Sequence, residues 1–213
     1  MADNSGVKVT MYRWAGSWGP FQIKVPCGEC ALTQDVIQDA LVNELEGIPV
    51  ELEIREWLSE WWRPLLRGGW HAPIVMVEGK VISQGRALNR GLLTQAVIEH
   101  HALNTPVEGN HLFGKESCPH CKRGKKYLED AGIDYSYHNV VRDPRALYEM
   151  LARVKPFIAA KTPITVPQIW IDGDYVGGAD QLGEIVRQKV EPNTERGQCS
   201  LSPGRSSARK VED

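Results

Sequence analysis

The sequence contains no apolar run approaching the roughly 18 residues needed to cross a bilayer, so a membrane partner is not expected. It lacks a strong charge of either sign: a net charge of -2 gives no electrostatic handle on nucleic acid or an acidic membrane surface. The first ten residues are polar and lack the apolar stretch of a secretory signal, which points to a cytoplasmic protein. Cysteine is scarce, at five residues, and in a reducing compartment thiols persist as metal ligands or catalysts more readily than as structural staples. What is present is ordinary for a globular chain: 42% apolar and 24% charged residues argue against wholesale disorder. A length of 213 residues suits one large domain or two small ones.

Four of the five cysteines fall in two Cys-x-x-Cys pairs, Cys27/Cys30 and Cys118/Cys121; Cys199 lies apart and is read as a spectator. Each pair opens the same order of elements: strand, cysteines, helix, strand, helix, proline, hairpin, helix. After Pro73, the chain runs through four apolar residues to Glu78-Gly79; after Pro167, Gln168 to Ile171 lead to Asp172-Gly173. An acidic residue and a glycine between two apolar runs signal a tight hairpin. Cys118 follows Cys27 by 91 residues and Pro167 follows Pro73 by 94, so the halves nearly superimpose in length. Two copies of one small α/β fold are expected, with a linker over Leu103 to Gly109. Residues 192–213, rich in Gly, Ser, Arg and Glu, are expected to form a disordered tail.

The chemistry is best specified in the second copy. Phe113 to Arg123 reads as strand, short turn, then Cys118 at the start of a helix. Free backbone N–H groups and the positive end of the helix favour thiolate over thiol there. Pro119 suits the first helical turn, where its missing N–H costs nothing. Lys115, His120 and the cluster Lys122, Arg123, Lys125 and Lys126 add positive potential. Cys118 is expected to be the nucleophile and Cys121 the resolving thiol.

Cys118-Pro119-His120-Cys121, Thr165-Val166-Pro167 and Gly177-Gly178-Ala179-Asp180, in this order and spacing, resemble a dithiol glutaredoxin over about residues 110–191. The first copy, with Cys27-Gly28-Glu29-Cys30 and Ala72-Pro73, resembles a generic thioredoxin-fold domain. The implied fold class is α/β, with two tandem thioredoxin-fold domains, each a central mixed sheet flanked by helices. The division is 1–103, 110–191 and the tail.

The resemblance implies a glutathione-linked thiol–disulfide oxidoreductase acting on protein disulfides or mixed disulfides. Glutathione would be a cosubstrate, with no tightly bound cofactor and no metal. It implies a cis bond before Pro167 and a Val166 backbone presented, beside Thr165 and His120, to the cysteine of glutathione. Gly178, Ala179 and Asp180 would hold the γ-glutamyl end, and Lys115 the glycine carboxylate. Two departures stand out. His120 replaces the usual tyrosine, and is expected to stabilise the Cys118 thiolate. Gln181 stands where a second aspartate is common.

Cys27 and Cys30 are expected to form a second redox pair served by Pro73, with Glu29 opposing thiolate formation at Cys27. If the pairs keep typical thioredoxin and glutaredoxin potentials, a gap of about 50 mV drives electrons from the first pair to the second, with an effective concentration on the order of millimolar set by the linker; Glu29 and His120 leave either direction open. Trp57, Leu58, Trp61, Trp62, Leu65 and Leu66 recur at helical spacing and are expected to pack into the core. His71 is read as an ordinary loop histidine. The competing classes are a metal or iron–sulfur carrier, and a tandem disulfide oxidase or isomerase.

Overall fold

The computed structural model describes residues 6–24 and 27–190; the expected tail, and Cys199 with it, lies outside them. The chain starts with β1 (Val7–Arg13), whose Val7, Val9 and Met11 are buried in the first core. A small hairpin follows, β2 (Gly16–Trp18) and β3 (Phe21–Ile23). Then come α1 (Gly28–Val42), β4 (Val50–Glu56), α2 (Trp57–Glu60) and α3 (Trp62–Leu65). The unit closes with β5 (Ile74–Val77), β6 (Lys80–Gln84) and α4 (Arg90–Asn104). Its sheet has the order β4-β1-β5-β6, with β4 parallel to β1 and the rest antiparallel.

The second unit repeats this plan with β7 (His111–Gly114), α5 (Pro119–Asp130), β8 (Ser136–Asn139) and α6 (Pro144–Val154). A 3-10 turn (Lys155–Phe157), β9 (Gln168–Ile171), β10 (Asp174–Gly177) and α7 (Ala179–Val190) complete it. The order β8-β7-β9-β10 is that of the first sheet, again with one parallel pair. Both are four-stranded mixed sheets flanked by helices, so the chain is a tandem of two thioredoxin folds. The central strands β5 and β9 are buried at every position, as a strand covered on both faces must be.

Local chemistry decides where three expected helices end, and two of them end short of expectation. The helix expected to reach Glu46 stops at Val42, where the Asn43 amide bonds back to the Asp39 carbonyl and carboxylate. The helix expected from Pro144 to about Ala160, bent or interrupted at Pro156, is indeed broken there: it ends at Val154 and passes into the 3-10 turn, because Pro156 has no N–H to continue the ladder. The single helix expected over Glu56 to Leu66 is two separate turns, α2 and α3, since Pro64 cannot donate back to Glu60.

The core role expected for that segment is overturned as well. Trp61, Trp62, Leu65 and Leu66 are 43%, 49%, 48% and 81% exposed. Trp57 turns inward, stacking on Trp14 at 5.0 Å between ring centroids, and Leu58 is half-buried.

The two units meet where α4 packs on α6. Asp143 accepts the Arg145 N–H and Pro144 opens the helix, so α6 is well capped. Its Ala146, Met150 and Val154 face the second sheet, while Tyr148 reaches the first core. Arg153, from α6, donates to the Ala102 and Thr105 carbonyls at 3.0 and 2.9 Å. A cation thereby caps the C-terminus of α4. Arg145 donates to the Glu46 carbonyl at 2.8 Å, and Lys155 pairs with Glu99 at 2.7 Å.

Candidate active site

Cys118 occupies the N-cap of α5, with Pro119 in its first turn. Its Sγ is 3.6 Å from the Val166 carbonyl, the residue before a cis proline at 167. Cys118 is 7% exposed and Cys121, one turn on, 1%. Gly114 makes room for the second sulfur, since a Cβ there would lie 2.9 Å from the Cys121 Sγ.

The two thiols have opposite electrostatics. At Cys118, burial raises the pKa, but it is outweighed by the Cys121 backbone N–H and thiol, the His120 backbone N–H and the Lys115 charge. The net direction is below the ordinary value of 9.0. Cys121 is pushed up to about 11, first by burial and then by its neighbour Cys118. At pH 7 thiolate at Cys118 therefore outnumbers thiolate at Cys121, and the lower nucleophilicity of the more acidic thiol offsets only part of that advantage. Alkylation by iodoacetamide at pH 7 is expected to be at least about tenfold faster at Cys118. The preference persists as pH falls, because the group with the lower pKa keeps the larger thiolate fraction, and it closes only as pH rises towards 11. Peptide mapping of the labelled protein checks this, and equal labelling at pH 7 contradicts it.

Of the eight residues expected to touch glutathione, seven line one cavity of about 470 Å³: His120, Thr165, Val166, Pro167, Gly178, Ala179 and Asp180. Lys115 does not line it, and acts on the site through its charge. The His120 imidazole is turned to Arg123, with Nδ1 accepting at 3.0 Å, so the influence of this residue on Cys118 runs through its backbone. Arg123 also reaches Asp180 at 2.5 Å, a partnership across 57 residues that no local pattern announces. Gln181, seen in the sequence only as a departure, accepts the Gly178 N–H through Oε1 at 3.1 Å. The Gln168 side chain, buried and unforeseen, ties Tyr175 to the Thr165 carbonyl behind the proline.

In the first unit, Cys27 caps α1 and is exposed, whereas Cys30 is buried. Their sulfurs lie 3.0 Å apart, and the Trp14 N–H donates to Cys30 at 3.2 Å. Burial pushes Cys30 up to about 11 in spite of that donor. The Ala72–Pro73 bond is also cis. The His71 carbonyl accepts the Gly85 N–H, a loop role. Among the described residues no group of three or more His, Cys, Asp or Glu side chains is placed to share a metal ion. No described helix is long and apolar enough to cross a membrane.

Comparison with known proteins agrees with this geometry. The Glutaredoxin family model matches residues 111–176. Glutaredoxin 3 of Escherichia coli (strain K12) is 34% identical over 71 residues, covering 33% of this chain and 77% of that protein. A glutaredoxin of Pseudomonas aeruginosa is 36% identical over 70 residues, covering 33% and 75%. Among solved structures, a mutated buckwheat glutaredoxin aligns with a TM-score of 0.36 at 21% identity, over 43% of this chain and 80% of that one. With the sequence matches falling on the unit that carries Cys118, the chain belongs to the glutaredoxin family of thiol–disulfide oxidoreductases.

Proposed function

We propose that the protein is a glutathione-linked reductase of protein disulfides and mixed disulfides, working through Cys118 and Cys121. The observation that carries the reading is the Cys118 Sγ 3.6 Å from the carbonyl of Val166, a residue that lines the cavity of about 470 Å³. In the proposed cycle, Cys118 thiolate attacks a substrate disulfide, forming a mixed disulfide and releasing one substrate thiolate, which takes a proton. Cys121 then gives up its proton and displaces the second substrate thiol, leaving Cys118–Cys121 as the disulfide. Two glutathione molecules return it to the dithiol and leave as glutathione disulfide. A glutathione mixed disulfide follows a shorter route, in which a second glutathione resolves the intermediate.

Cys27 and Cys30 form a second redox pair in this reading, supported by their 3.0 Å separation in a unit that also carries a cis proline, Pro73. A reducing, cytoplasmic setting suits four cysteines that are all free thiols. The test is turnover of a glutathione mixed disulfide with glutathione as sole electron donor. Multiple turnovers are expected, and reduction that ignores glutathione rejects the reading.

A further inference from the structure

Three cavities that share walls run along the seam between the units. The cavity lined by Val166, whose carbonyl is 3.6 Å from the Cys118 Sγ, shares Ile158, Thr162 and Ile164 with a second of about 560 Å³. The second shares Gln95 and Tyr148 with a third of about 630 Å³, which begins at Arg86. Arg86 follows Gly85, whose N–H bonds the Pro73 carbonyl at 3.0 Å. One trough thus links the neighbourhood of the first proline loop to the Cys118 site.

A small disulfide fills only the end cavity, so the remaining length needs another occupant. The floor beyond it is apolar, through Leu151, Ile158 and Ile164, and polar groups edge it. From Leu92 to Glu99 the trough follows α4 for about 10 Å. That is about three residues of extended chain. The trough also has a sign. Lys155 is neutralised by Glu99, whereas Arg86 and Lys161 enter no ion pair among the described residues. Lys161 is moreover held at φ 67°, a left-handed position where a lysine is disfavoured and which often marks a functional loop.

We infer that this seam is a polypeptide-binding track, and that the preferred substrate of the Cys118 site is a disulfide carried on an extended, acidic segment. The inference rests on the oxidoreductase reading and names its substrate class. The segment enters mixed-disulfide linkage with Cys118 at one end while its carboxylates meet Lys161 and Arg86 along the track. The two electrons come from the Cys118/Cys121 dithiol, as in the cycle above.

The test uses the full chain, pre-reduced, in single turnover against three disulfides. These are a homodimer of a glutamate-rich decapeptide with one cysteine, its glutamine analogue, and bis(2-hydroxyethyl) disulfide. The acidic peptide is expected to react about tenfold faster than the neutral one, and R86E/K161E to remove that advantage while changing the small disulfide less than about twofold. Q95W, which fills the trough without altering charge, is expected to slow both peptides and spare the small disulfide. Equal changes on all three substrates, or none on the peptides, overturn the track. Failure of the wild type to reduce any of them instead overturns the oxidoreductase reading.

Discussion

Cys118→Ser is expected to lower glutathione-coupled reduction of a small mixed disulfide by at least about a thousandfold, as loss of a nucleophile does. Serine has the shape but not the acidity: the N-terminal donors and the Lys115 charge that hold a thiolate at Cys118 cannot ionise an alcohol at neutral pH. Cys27→Ser is expected to change the same rate less than about twofold, because the first pair sits on a separate sheet with its own proline loop. Steady-state rates of the two variants beside wild type decide the matter. A large loss in Cys27→Ser would move the catalytic thiol to the first unit.

Phe113→Ala is expected to destabilise the second unit by about 3–5 kcal/mol, the usual cost of emptying a buried aromatic site. Phe113 is 1% exposed, stacks on His138 at 4.5 Å and meets Trp170 edge-on at 5.4 Å. It lies on β7 one residue before Gly114, so the collapse of that cavity would also disturb the seat of Cys121. Denaturant unfolding followed by tryptophan fluorescence measures the effect. A loss under about 1 kcal/mol would mean that the surrounding side chains close the space.

The parts legible in the sequence were those with local physics. The hairpins announced themselves through Glu78-Gly79 and Asp172-Gly173, and all four residues take positive φ, the geometry of a two-residue turn. Cysteines at helix starts and prolines before strands carried the repeat. What stayed hidden depends on distant residues or on missing partners. Nothing near Asp180 foretells Arg123, and nothing near Lys115 says that it stands off the cavity. The Trp57 to Leu66 spacing imitates a core helix, but one proline breaks it, and the rings of Trp61 and Trp62 face outward instead. The β2–β3 hairpin escaped notice because three-residue strands with exposed Trp18 and Phe21 show no alternation worth reading.

The connection between the units has its own consequence. Arg153 grips the Thr105 carbonyl, His111 donates to that of Glu108, and Gly173 to that of Gly109. Asn110 is held by both Asp134 and Asp172. A segment anchored at so many points does not sample space like a polymer, so the millimolar figure for a loose tether has no purchase on it. The two sulfur pairs are mounted on one frame, like fixed contacts on a board. Splicing extra glycines into the connection would leave any traffic between them at the same rate until the frame itself came apart.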